Sequence, residues 1–251
     1  MNLAIIGYGK MGKEIHEICK EKNVNVVSII DPHIGGVTHK EISEESLENV
    51  DVVVDFTHPD SVLENIRKIS DLGVNIVVGT TGWYDKMEEV ESIIQKNDVG
   101  LIWSGNFSLG VNMFFKIIER ASQIMNKFEE YDVAIHEFHH NQKSDSPSGT
   151  AEMIGKIMID NLDRKTNMST HSMKQKINPE ELHVTSTRIG SIPGTHSVLF
   201  DNIADTIELK HSARGRSGFA RGSVLAAEWI HNKKGVHNVN EMFSDILEES
   251  K

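Results

Sequence analysis

Leu3-Ala4-Ile5-Ile6-Gly7-Tyr8-Gly9-Lys10-Met11-Gly12 is the stretch on which the fold turns. Four apolar residues make a short strand, G-x-G-x-x-G follows at once, and Met11, Ile15 and Ile18 then recur at helical spacing through Lys22. Strand, glycine turn and helix in that order suit a dinucleotide. Gly7 permits the tight turn, Gly9 lets a pyrophosphate approach the backbone, and Gly12 lets the helix pack close to the strand. The helix N-terminus adds unpaired N–H donors and the positive end of a dipole. Asp31 ends the next strand, 19 residues beyond Gly12, where an acid meets ribose hydroxyls. Glycines also serve ordinary turns, so the flanking strand, helix and acid are what favour the nucleotide.

The same alternation continues outward. Val24–Ile30, Val52–Phe56, Asn75–Val78 and Gly100–Trp103 read as strands, nearly continuous in apolar residues as a sheet covered on both faces requires. Asp60–Leu72 and Asp85–Gln95 read as the helices between them. This rhythm predicts a doubly wound parallel sheet with ligands at the carboxyl ends of its strands. Gly79-Thr80-Thr81-Gly82 and Ser104-Gly105-Asn106-Phe107 fall at two such ends, where they either border a nicotinamide or form plain turns.

Beyond Phe107 the pattern changes. Val111–Phe128 and Thr150–Asn161 read as helices, and Asp132–Phe138 is a β-type run. Leu182–Arg188, His196–Phe200 and Thr206–His211 read as strands joined by turns, which predicts a second domain with a mixed or antiparallel sheet. Phe219–His231 is an apolar helix that either domain could own. Asp163–Pro179 is polar and reads as a mobile surface connection.

Bulk numbers exclude several classes. Asp and Glu number 37 against 26 Lys and Arg, a net charge of −11, which argues against a duplex-binding protein. Cys19 is the single cysteine, so no intrachain disulfide exists and a buried structural thiol is expected. No apolar run reaches the roughly 18 residues of a membrane span, and no signal peptide is evident, so a cytoplasmic location is expected.

Within this acidic chain one segment gathers positive and donor groups: His139-His140-Asn141-Gln142-Lys143-Ser144-Asp145-Ser146-Pro147-Ser148-Gly149-Thr150. It overlaps His136-Glu137-Phe138-His139-His140, which satisfies the zinc-protease pattern H-E-x-x-H. That pattern needs a helix to bring its histidines together. Here it continues a β-favouring run, where the outer histidines stand roughly 13 Å apart at about 3.3 Å per residue. No metal is expected. Proton and charge work is expected instead: His139 as a general acid near neutrality, Lys143 binding a carboxylate or protonating a developing amine, and the Gly149 and Thr150 amides as a carboxylate seat. His136 reads as an ordinary polar position. Lys210, Arg214, Arg216 and Arg221 read as a solvated basic face.

With those residues on the page, the chain resembles the 4-hydroxy-tetrahydrodipicolinate reductases, NAD(P)H enzymes of the diaminopimelate–lysine pathway. The resemblance spans almost the whole length. It rests on Gly7–Gly12, Gly79–Gly82, Asn106-Phe107-Ser108-Leu109-Gly110-Val111-Asn112, His139-His140 with Lys143, Asp145–Ala151, and Arg188-Ile189-Gly190-Ser191-Ile192-Pro193-Gly194-Thr195-His196. It implies His139 as proton donor or acceptor and Lys143 as proton-donating cation, with His140, Gly149 and Thr150 binding a small dicarboxylate. Gly7, Tyr8, Gly9, Lys10, Met11, Gly12, Asp31, Gly79, Thr80, Thr81, Ser104, Gly105, Asn106 and Phe107 are implied to contact the coenzyme. Asp31 opposes a 2′-phosphate and Pro32 offers no cation, so NADH is favoured over NADPH.

The implied architecture is α/β, an N-terminal Rossmann-type sheet plus a central α+β domain with an open mixed β-sheet. Residues 1–107 and 218–251 would form the nucleotide domain, and 108–217 a substrate domain that builds a homotetramer, with hinges near 107–112 and 214–219. Asn141-Gln142 departs from the more basic pair of many members, which puts one anion contact in doubt. Ser144 and Ser146 replace an apolar residue and an alanine. A dehydrogenase for another small carboxylate would share the nucleotide end. A non-enzymatic NAD(H) sensor would not need the His/Lys loop.

Overall fold

A computed structural model describes residues 1–248. The described residues divide into two compact units, residues 1–109 with 216–248 and residues 110–215. Among the described residues no helix is long and apolar enough to cross a membrane.

The first unit is built on six parallel strands, β1 (Asn2–Ile6), β2 (Asn25–Ile30), β3 (Val52–Asp55), β4 (Asn75–Val78), β5 (Gly100–Trp103) and β11 (Gly235–Asn238), in the order β11-β5-β4-β3-β1-β2. Residues 53, 54, 76, 77, 101 and 102 are each fully buried, which is why these strands read as unbroken apolar runs. Helices α1 (Lys10–Lys22) and α6 (Ser217–Ile230) share one core with Ile15, Ile18, Val224 and Ile230; α2 (Pro59–Asp71) and α3 (Met87–Asn97) bury Ile66, Ile69, Val90 and Ile94 in another. The chain order reverses between β1 and β3, so the crevice at their carboxyl ends is the switch point of the sheet. Cys19 is fully buried, and burial pushes its thiol up to about 11.

The second unit carries a five-stranded mixed sheet in the order β10-β9-β6-β8-β7. Its strands are β6 (Asp132–His139), β7 (Asn167–Ser169), β8 (Glu181–Arg188), β9 (Thr195–Asp201) and β10 (Thr206–Ser212). β8 runs parallel to β6 and β7, while β9 runs antiparallel to both β6 and β10. Helices α4 (Leu109–Met125) and α5 (Gly149–Asn161) cover one face, where Phe114, Ile118, Ile154 and Met158 meet Val133, Ile135, Val184 and Phe200. The Rossmann-type sheet and the mixed second sheet both match the sequence-based expectation.

Three expectations need revision. Asp163–Pro179 is not uniformly a surface connection. Asn167–Ser169 pairs with β8, and Lys165 is buried, bridging Asp132 at 2.7 Å and donating to the carbonyls of Pro179 and Glu181. A three-residue polar edge strand leaves no periodicity to read. The long helix after Phe107 starts at Leu109 and ends at Met125 rather than running to Phe128. Finally, β11 and α7 (Val239–Glu248) complete the first unit from a stretch in which no element was expected.

Candidate active site

The βα loops open at the carboxyl edge of the parallel sheet, because parallel strands all end on one side. Gly7, Tyr8 and Gly9 form the loop after β1, and Lys10, Met11 and Gly12 the first turn of α1. A methyl at Gly7 would run into the Phe56 carbonyl, and one at Gly12 into the Gly7 carbonyl; at Gly9 it would meet nothing within 4 Å. The close turn, the tight helix–strand contact and the open approach are therefore all present. Gly9 at the N-cap of α1 brings no side-chain cap, which suits the first amides of the helix to an anion. These residues fit a dinucleotide.

Asp31 is more deeply engaged than a ribose contact alone requires. It is 8% exposed and accepts from the amides of Tyr8 (2.8 Å), His33 (2.8 Å) and Ile34 (3.0 Å). Burial works against its charge, but those three amides outweigh it and hold the carboxyl below the usual range. The acid thus pins the glycine loop while keeping its charge beside it.

Gly79, Thr80 and Thr81 follow β4, and Ser104, Gly105 and Asn106 follow β5. A methyl at Gly79 would strike the Phe56 ring. Thr80 is buried, and its hydroxyl accepts from Thr57 N at 2.8 Å. Phe107 lies in the hydrophobic core at 2% exposure, so only its backbone is left for a coenzyme. Asp55, which no motif marks, ends β3 fully buried and accepts from Thr57, Asn65 and Thr80. Burial pushes its carboxyl up, and its hydrogen bonds tie the loops after β3 and β4 together.

In the second unit β6 delivers the candidate chemistry. Strand alternation turns Val133, Ile135, Glu137 and His139 inward and leaves Ala134, His136, Phe138 and His140 half-buried. The zinc-protease pattern therefore lies on a strand, and His136 is occupied by hydrogen bonds to Thr185 and Thr187. His140 and the turn bearing Lys143 follow, with Lys143 Nζ 2.8 Å from Asp145 Oδ1. Ser148 then caps α5, accepting from Ala151 N at 3.2 Å. Gly149 and Thr150 open the helix, so their amides lie outside its internal ladder.

Glu137 sits at the centre of this arrangement, fully buried. Its carboxylate accepts from Ser148 N (3.0 Å), the Ser148 hydroxyl, Ser186 Oγ (2.8 Å) and Arg188 Nη2 (3.0 Å). His196 Nε2 and His139 Nδ1 each stand 3.3 Å from Oε2. Burial alone would raise this carboxyl, but His196, Ser148, Ser186 and Arg188 hold it well below the usual carboxylate range. Glu137, His139 and His196 could converge on a cation within 4.8 Å of one another. The Arg188 guanidinium already neutralises the carboxylate, however, and would oppose a further cation.

His139 departs from expectation. It is 7% exposed, and burial drives its imidazole down to about 4, with the pull of Glu137 opposed by His196, Lys143 and Arg188. The ring is therefore neutral at neutral pH rather than poised to titrate there. Arg188, His196, Ser148 and Glu137 all lie within quoted motifs, yet their partnership is not legible there, because it exists only in three dimensions.

A family model described as "Dihydrodipicolinate reductase, N-terminus" matches residues 1–107, and its C-terminal counterpart matches residues 110–243. The 4-hydroxy-tetrahydrodipicolinate reductase of Christiangramia forsetii is 34% identical over 98% of this chain and 99% of its own length. That of Methanococcus aeolicus is 36% identical over 90% and 91%. Among solved structures, a dipicolinate-bound dihydrodipicolinate reductase from a Paenisporosarcina species is similar in fold, with a TM-score of 0.76 at 23% identity over 95% of this chain and 97% of that one.

Proposed function

The chain belongs to the dihydrodipicolinate reductase family, and from that premise we propose which of its residues bind and protonate the substrate. It is an oxidoreductase of lysine and diaminopimelate biosynthesis, reducing 4-hydroxy-tetrahydrodipicolinate to tetrahydrodipicolinate with a nicotinamide coenzyme. When bound, the coenzyme supplies hydride to C4 of the ring after water has left the 4-hydroxy form. Gly7–Gly12 and the first turn of α1 hold its phosphates, and Asp31, Gly79–Thr81 and Ser104–Phe107 border the rest. Asp31 keeps its charge beside the glycine loop, which disfavours a 2′-phosphate and supports NADH as the preferred donor.

The substrate's two carboxylates are seated by Lys143, His140 and the Gly149 and Thr150 amides. One observation carries this reading: a single buried carboxylate, Glu137, binds the amide of Ser148 and stands 3.3 Å from His139 Nδ1. The start of α5 and the His139 imidazole therefore belong to one site. Because His139 is neutral, the Lys143 ammonium supplies the proton that balances the hydride, and His139 acts as a neutral hydrogen-bonding and relaying group. In this scheme residues 1–107 and 218–251 hold coenzyme and residues 108–217 hold substrate. The half-exposed sheet face bearing Ala134, His136, Phe138 and Leu199 supports the second unit as the oligomerisation surface of a homotetramer.

His139→Gln and Lys143→Ala should each lower kcat by about 100-fold or more, with the Kd for NADH within about twofold of wild type. Unimpaired turnover in both variants would remove the mechanism.

A further inference from the structure

Glu137 makes more contacts with the site than a structural carboxylate needs. Its oxygens receive the amide and hydroxyl of Ser148 from the start of α5, Ser186 and Arg188 from β8, and the approach of His196 from β9. Arg188 Nη2 also donates to the Asp145 carbonyl at 2.5 Å, which ties the Lys143 turn to the same hub. On β6 itself, His139 Nδ1 faces Oε2 at 3.3 Å, buried and without a hydrogen bond to any other group among the described residues. The opposite edge of the ring faces the backbone of Gly194, where a Cβ would stand 2.9 Å from Nε2. One edge of the imidazole is thus presented to a fixed anion, and the other is kept clear by the absence of a side chain.

We propose that Glu137 is the positioning residue of this site: it fixes the neutral His139 ring as the Nδ1–H tautomer, leaving the Nε2 lone pair for substrate, and it anchors through Ser148 the helix start that seats a carboxylate. A carboxylate accepts and cannot donate at neutral pH, so the edge facing it carries the proton. A buried acid holding a histidine's tautomer is a known way of setting proton-transfer geometry. The other charged groups facing this ring, His196, Lys143 and Arg188, all disfavour its protonation, which leaves Glu137 as the group opposing them.

The kinetic part of this inference rests on the reductase reading above; the tautomer does not. Long-range ¹H–¹⁵N spectra of the wild-type enzyme at neutral pH should show His139 protonated on Nδ1. Glu137→Gln should shift it toward the Nε2–H form and lower its pKa, since the anion that favours its charge is gone. In the same variant kcat should fall at least tenfold and dipicolinate should bind about tenfold more weakly, with NADH affinity unchanged. Ser148→Ala keeps the anion, so it should weaken dipicolinate while leaving the His139 tautomer and pKa in place. Gly194→Ala should lower kcat by crowding Nε2. A wild-type ring protonated on Nε2, or a folded Glu137→Gln enzyme with wild-type tautomer and kcat, would overturn the assignment. The wild-type spectrum decides the matter even if Glu137→Gln fails to fold. A wild-type enzyme with the expected tautomer and no turnover of the dicarboxylate would count against the reductase reading instead.

Discussion

At the scale of single residues the second unit is tuned by two groups whose folded ionisation differs from that of a free chain. His139 is driven to about 4 by burial, whereas an imidazole in an unfolded chain binds its proton near 6.5. Between those values the unfolded state holds more protons, so this contribution is complete above about pH 6.5 and drains as the pH falls toward about 4, by up to about 3 kcal/mol. Glu137 is held below the usual carboxylate range, so its contribution is complete above about pH 4.5 and drains below it. The two windows adjoin, and the first falls in mildly acidic buffer. Urea unfolding at pH 7 and pH 5 should therefore show a larger stability loss for wild type than for His139→Gln, in which the upper window is absent. Equal losses would mean that His139 is not held neutral. The proposed preference for NADH likewise rests on one residue. If the ionised Asp31 repels a 2′-phosphate, Asp31→Asn should narrow the ratio of kcat/KM for NADH over NADPH, and an unchanged ratio would place selectivity elsewhere.

At the scale of elements, glycine shows where packing is tightest. Gly222 lies inside α6, where alanine would ordinarily stabilise a helix by about 1 kcal/mol. Here its methyl would collide with the Phe107 carbonyl, so the sign reverses. Gly222→Ala should cost about 2 kcal/mol or more in urea unfolding, and a neutral result would show that α6 can lift off without penalty. Gly12 has a similar contact with the Gly7 carbonyl, yet only Gly12 was legible in advance. It sits in a contiguous motif, whereas Gly222 answers to a residue 115 positions away. The same contrast runs through both units. Val52–Asp55 and Asn75–Val78 announced themselves as apolar runs, but β11 is Gly-Val-His-Asn, an edge strand with no such run. His139, Lys143, Gly149 and Thr150 could be singled out as candidates because one short segment carries them. The Glu137 hub could not, because its partners Ser148, Arg188 and His196 lie 11, 51 and 59 residues along the chain.

At the scale of the whole molecule, a chain of net charge −11 is expected to take up two anions, a dinucleotide and a dicarboxylate. Its overall field opposes both, so binding must come from local donors: the uncapped start of α1 in one unit, and the start of α5 with Lys143 in the other. The chain leaves the first unit after residue 109 and re-enters it at 216, so each unit has its own core and, on the proposed reading, its own anion seat. Ligand footprints should then separate by unit. In hydrogen exchange, NADH alone should slow the amides of residues 7–13 and 79–81, and dipicolinate alone those of residues 139–143 and 149–152. The proposed donors for each ligand lie on one unit, so the two footprints are expected to appear independently. Dipicolinate protection confined to the first unit would show that the α5 seat does not bind the substrate. The His139–Lys143 chemistry would then lose its reactant.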